Sequence, residues 1–195
     1  MLRKVTRMDK SAVTGVPLHP LLANRWSPRG FDAGHAPEPR QLSALIEAAR
    51  WAPSANNTQP WRFVVASRGE PAYEQLFGVL NPGNQQWAGA AGALILVVAE
   101  TVTADGEDRP FALYDTGQAV GGLVAQAGHE GLSVHQMGGF DRAAAAERFG
   151  LRAGLRPVVV VAVGRHDPAA PLSATFAERE RAPRARRPVD ELLLR

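Results

Sequence analysis

A chain of 195 residues with 45% hydrophobic and 21% charged residues is long enough to bury a substantial core and too evenly balanced for wholesale disorder or a membrane-embedded fold. Having no cysteine, it excludes disulfides, thiolate metal ligands and cysteine nucleophiles of its own. A formal net charge of +3 is compatible with nucleic acid as a partner, but the basic residues are almost all arginine and are scattered along the chain.

One domain spanning residues 1–195 is expected, with residues 1–16 flexible. The opening MLRKVTRMDKSAVTG has basic residues with no apolar run behind them, and the longest apolar stretch, from about Ala88 to Ala99, is too short to cross a bilayer. A cytoplasmic protein without a membrane partner is the expectation.

In chain order, PLHPLLANR makes a short helix and WSPRGFD an extended segment, because Pro28 disfavours helix at Ser27. Extended backbone points alternate side chains to one face, so Arg25, Ser27 and Arg29 would face the same way. A helix follows from Pro39 to Trp51, opened by proline, with Leu42, Leu45, Ile46 and Ala49 as its apolar stripe. The loop after it, WAPSANNTQP, carries more side-chain amides and hydroxyls than a turn needs. Ser54, Asn56, Asn57, Thr58 and Gln59 therefore suggest a ligand, the alternative for Asn57 and Gln59 being capping of the helix end and strand start.

WRFVVAS reads as a strand with Trp61 and Phe63 in the core, AYEQLFGVL as a helix, and NPGNQQWAGAAG as a turn and short helix leading into ALILVVAE, a fully buried strand. A helix from Phe111 to Gly128 carries Gly117, Gly121 and Gly122. At roughly 1 kcal/mol each these glycines need a reason, such as close approach of another helix. LSVHQM reads as a strand, Asp141 as the cap of helix RAAAAERF, and RPVVVVAVG as another buried strand. From His166 onward four prolines interrupt a polar segment that ends in ELLL, as if it lay along another surface. The pattern is α+β, with one central sheet covered by helices.

Standard catalytic sets are missing. His129 and His135 fit no zinc spacing and read as surface histidines; no serine sits in G-x-S-x-G, and no G-x-G-x-x-G follows a strand. No metal is expected. The run ERERAPRARR sets five arginines against two glutamates. Such a run is a solvated face or, through its guanidinium forks, a phosphate binder.

Five segments in this order, NRWSPRGFD, EAARWAPSANNTQPWRFVV, NPGNQQWAGAAGALILVV, GLSVHQMGGFD and APRARRP, resemble the signature blocks of the FMN-dependent nitroreductase family over about Pro17 to Pro188. The Pro-Ser-x-x-Asn-x-Gln-Pro-Trp block is the most specific. The resemblance implies a central, mostly antiparallel sheet flanked by helices, and a homodimer whose C-terminal tail, residues 166–195, crosses extended onto the partner. It also implies FMN as cofactor, NADPH or NADH as reductant, and ping-pong reduction of a nitroaromatic or quinone.

By the same resemblance Arg25, Ser27, Arg184 and Arg186 grip the phosphate and ribityl chain, Trp26 lies among them, and Arg29 faces the N1 and O2 edge of the ring. Pro53, Ser54, Ala55 and Asn57 reach the flavin of the opposite subunit, Asn84 contacts the pyrimidine portion, and Gln136, Met137, Gly138 and Gly139 bring a backbone amide to N5. No residue serves as acid or nucleophile, because the cofactor carries the hydride. Two positions depart from the family: Gly138 where several members have glutamate, and Trp87 where some have lysine. Trp87 is read either as core or as a cover over the flavin. The link from Glu100 to Phe111 is short, which implies an open pocket. Two rivals are a flavin-storage or sensing protein without turnover, and a nucleic-acid binder, disfavoured because no aromatics interleave with the basic run.

Overall fold

The computed structural model describes residues 10–194. Its helices are α1 (Pro20–Ala23), α2 (Pro39–Arg50), α3 (Pro71–Phe77), α4 (Pro82–Ala88), α5 (Ala112–His129), α6 (Arg142–Arg148) and α7 (Ala174–Arg181). Its strands are β1 (Trp61–Ser67), β2 (Ala93–Glu100), β3 (Ser133–Met137) and β4 (Leu155–Gly164).

The strands form one sheet in the order β1-β2-β4-β3, with every neighbouring pair antiparallel. All eight residues of β2 are buried, as the apolar run from Ala93 to Ala99 requires, because helices cover both faces. Leu94, Leu96 and Val98 point to α3, α4 and α6, while Ala93, Ile95 and Val97 point to α2 and α5. The register between β2 and β4 shifts at Val97/Val98, where Pro157 faces Val98; proline has no N–H to give the ladder, so the strand bulges there.

Caps fix where helices begin. Gln41 Oε1 accepts from the Glu38 N–H at 3.0 Å before α2, and Asp141 Oδ1 accepts from the Ala144 N–H at 2.9 Å before α6, as its sequence suggests. Of Gly117, Gly121 and Gly122 only Gly122 meets a neighbour. A Cβ there would stand 2.8 Å from the Ala48 carbonyl oxygen of α2, whereas Gly117 and Gly121 face open space. Close helix approach thus explains one glycine of the three.

Between β2 and α5 there is only a bridge from Val102 to Asp108, so this link is as short as the sequence implies. The C-terminal segment contains an element not read from the sequence: α7, capped by Ser173, followed by a 3-10 turn at Val189–Leu192. The stretch expected to be flexible lies partly outside the described residues. Its described part is tied down by Lys10 Nζ donating to the Ala182 carbonyl at 2.5 Å and the Ala12 N–H to that of Ala23 at 2.8 Å. No helix among the described residues is long and apolar enough to cross a membrane.

Candidate functional site

Residues 25–29 run without regular structure beside β3, where His135 Nδ1–H donates to the Pro28 carbonyl at 2.9 Å. Arg25 Nη1 donates to Ser27 Oγ at 3.2 Å, the neighbourhood that alternation predicts. Arg184 of the tail donates from Nη1 to the carbonyls of Lys10 and Ala23, both at 2.6 Å. Burial depresses the pKa of Arg25, and Arg184 and Arg186 depress it further. Among the described residues no carboxylate pairs with any of these three arginines. Converging like charges with a hydroxyl beside them fit a phosphate dianion, which would satisfy the donors and relieve the repulsion.

The Trp26 ring lies 5.1 Å from Lys10 Nζ and meets His166 edge-on at 5.2 Å. A cavity of about 490 Å³ opens here, lined by Arg25, Trp26, Ser133 and Arg165, and a second of about 480 Å³ lies beside Arg29 and Trp87. Both are in the usual range for small-molecule pockets.

Arg29 does not share the direction of Arg25 and Ser27. Its backbone N–H donates to Glu180 Oε1 at 2.9 Å, and its guanidinium Nη1 is 3.8 Å from the same oxygen. Its Cζ lies 6.0 Å from the Trp87 ring and 5.3 Å from that of Phe176. Trp87 is core: 4% exposed, it stacks on Phe31 at 6.2 Å and tilts against His135 at 4.5 Å. The reading of Trp87 as a flavin cover gives way to the reading as core, because so little of the side chain is exposed. His135 is likewise no surface histidine; burial lowers its pKa to about 4.

At the end of β3, Gln136 and Gly138 are exposed while Met137 is buried in the core, so the segment can offer a ligand mainly backbone. Gly139 lies flush against α4: a Cβ would stand 2.3 Å from Asn81 Nδ2. Asn84 Nδ2 donates to the Gly139 carbonyl at 2.9 Å. The structure therefore brings Asn84 and Gly139 together.

The polar loop has unusual backbone. Asn56, Asn57 and Gln59 are left-handed, at φ 50°, 55° and 46°, a region that costs side-chain-bearing residues free energy and persists only when surroundings enforce it. Ser54 Oγ accepts from the Gln59 N–H at 3.0 Å, and Gln59 Nε2 donates to Asn57 Oδ1 at 3.1 Å. Gln59 thus braces Asn57. From α5, buried Asp115 accepts the Ala55 N–H at 3.1 Å. Arg109 donates to the Thr58 carbonyl at 2.8 Å, and is itself held by Glu100, which also pairs with Arg62 and Arg152. Pro53, Ser54 and Ala55 line a small groove with Phe111, Tyr114 and Gln118. Trp61 is buried on the α2/α5 side and Phe63 packs there too, both as expected.

Sequence reasoning missed Glu180, Phe176, Asp115 and Arg109. Ser173 ahead of ATFAERER was a usable signal for α7, since Phe176 and Glu180, four apart, share one helical face. No short-range pattern pointed to Asp115 or Arg109, whose partners lie 60 and 51 residues away. Among the described residues no group of three or more His, Asp or Glu is placed to hold a metal.

Comparison with known proteins places these features in a family. The model of the nitroreductase family matches residues 22–77 and 69–165. An uncharacterized 15.4 kDa protein from the ask 5' region of Mycolicibacterium smegmatis is 37% identical over 142 residues, covering 67% of this chain and 92% of its own. YdgI of Bacillus subtilis, named provisionally as an NAD(P)H nitroreductase, is 25% identical over 182 residues, covering 74% of this chain and 86% of its own. A crystal structure of an oxidoreductase containing FMN superposes with a TM-score of 0.87 at 33% identity, covering 93% of both chains. With the antiparallel sheet, the helical covering and a family match spanning most of its length, this chain belongs to the nitroreductase family.

Proposed function

We propose that the chain binds FMN and acts as an NAD(P)H-dependent oxidoreductase on nitroaromatics, quinones or similar acceptors. The observation that carries this reading is the basic corner of Arg25, Arg184 and Arg186 with Ser27, which has no carboxylate partner among the described residues. Charge-assisted hydrogen bonds at roughly 1.5–3 kcal/mol each would hold a phosphate there without covalent attachment. The 33% identical relative contains FMN, and YdgI carries an NAD(P)H nitroreductase name; both favour this cofactor and reductant. Bound FMN would supply the hydride carrier of a ping-pong cycle.

The chain's own residues then bind and orient. Arg29 would supply positive charge to the bound ring, Asn84 and Gly139 would line its other side, and the loop from Pro53 to Asn57 would close the site of a neighbouring subunit. The sheet order favours that last assignment. The loop leads into edge strand β1 and residues 25–29 lie beside the opposite edge strand β3, three strand spacings or roughly 14 Å apart. A flavin held at the β3 edge of one chain and closed over by the loop of another makes a homodimer with two sites.

FMN titration into the flavin-free protein tests the reading, with binding followed by flavin fluorescence. One FMN per chain is expected, and Arg186→Ala should weaken it about tenfold or more. Arg186 is the cleaner probe than Arg184, because among the described residues its only side-chain hydrogen bond is to the carbonyl of adjacent Ala185. Failure of the unmodified protein to bind FMN would overturn the reading.

A further inference from the structure

Glu180 is 5% exposed, one of the few charged side chains that the fold buries. Helix α7 delivers it to Arg29, where Oε1 accepts the backbone N–H at 2.9 Å and stands 3.8 Å from Nη1. The longer distance matters. Among the described residues no hydrogen bond engages the Arg29 side-chain donors, so the carboxylate offsets the guanidinium's charge while leaving its N–H groups free for a ligand. The rings of Trp87 and Phe176, at 6.0 and 5.3 Å, confine the guanidinium between them. Phe176 and Glu180 come from one face of α7, so a single helix supplies both a wall and a counter-charge.

We propose that Glu180 is a positioning residue which, through Arg29, sets the reduction potential of the bound flavin. The inference rests on the reading that Arg29 faces the ring edge. Reduction leaves negative charge near N1, and a bare cation there would stabilise the reduced form; Glu180 holds the cation in place and damps its effect. Burial raises the pKa of Glu180 and lowers that of Arg29, as expected for two opposite charges withdrawn from water together.

The test is the midpoint potential of the FMN-loaded protein, measured against reference dyes in four forms: unmodified, Glu180→Gln, Arg29→Ala, and both together. Glutamine keeps an acceptor for the Arg29 N–H and removes only the charge, and a thermal melt checks that each form is folded. Glu180→Gln should increase the preference for reduced over oxidised flavin about tenfold, which is about 30 mV upward for a two-electron couple. Arg29→Ala should lower the potential, and Glu180→Gln added to it should do little more. If Arg29→Ala lowers the potential and Glu180→Gln leaves it unchanged, Arg29 faces the ring but Glu180 is only a structural pin, and the inference fails. An undiminished Glu180→Gln shift in the Arg29→Ala background would also overturn it, since the carboxylate would then act without Arg29. If Arg29→Ala itself leaves the potential alone, the placement of Arg29 at the ring fails and the inference goes with it.

Discussion

His135 is the side chain whose burial has the clearest consequence for pH. Its part-buried ring packs against Trp87 and bonds the Pro28 carbonyl, and its pKa is lowered from the usual 6.5 to about 4. Above pH 6.5 it is neutral in both folded and unfolded chains. As pH falls from 6.5 towards 4 the unfolded chain takes up the proton and the folded one resists, so stability is lost across that window, by up to about 3 kcal/mol. Glu180 works in the opposite direction: its raised pKa favours folding below the usual 4.5 and is lost as pH rises. Denaturant melts at pH 7 and 4.5 should show His135→Gln losing less stability on acidification than the unmodified protein. Equal losses would mean that His135 is not held neutral. The sequence offered His135 only as a histidine at an unhelpful spacing; its burial depends on Trp87 and Pro28, respectively 48 and 107 residues away. Arg25 and Ser27, by contrast, were legible two residues apart because alternation in an extended segment is local.

At the scale of elements, the loop between α2 and β1 is shaped by its anchors rather than by its own sequence. Its left-handed residues are braced internally by Ser54 and Gln59, and externally by Asp115 at one end and Arg109 at the other. Asp115→Ala would strip the Ala55 N–H of its acceptor, at a cost of about 1–3 kcal/mol. Chemical denaturation should register that loss, and FMN affinity should fall with it, while Asp115→Asn retains an acceptor and recovers most of both. Unchanged stability in the alanine variant would show that the loop does not depend on α5. The strands β1 and β2 could be read to the residue, because short segments rich in branched and aromatic residues flanked by turn signals admit few alternatives. Helix α7 escaped notice because its arginines and glutamates resemble a solvated run. Only packing turns Phe176 and Glu180 inward.

For the whole molecule, the arrangement of edges matters most. Residues expected to grip one cofactor lie at opposite edges of one sheet, and Phe111, Tyr114, Val189, Leu192, Leu193 and Leu194 are all more than half exposed, apolar surface that the proposed partner would cover. Through Arg184 the tail lies along its own chain, bonded to Lys10 and Ala23, so the proposed crossing onto a partner would begin beyond Arg186. Removing residues 188–195 should weaken the dimer and FMN retention together, as read by sedimentation and by flavin content. A truncated chain that remains dimeric and FMN-saturated would place the interface elsewhere. The family's blocks made the fold and the basic corner readable from sequence; the counter-charge on Arg29 was not, since it needs the tail folded back. The most direct test of the central claim is the visible absorbance of the FMN-loaded protein under anaerobic conditions, before and after addition of NADPH and then NADH. Bleaching of the flavin band by either nucleotide is the predicted result; a band that neither nucleotide diminishes would contradict the claim and leave a flavin carrier in its place.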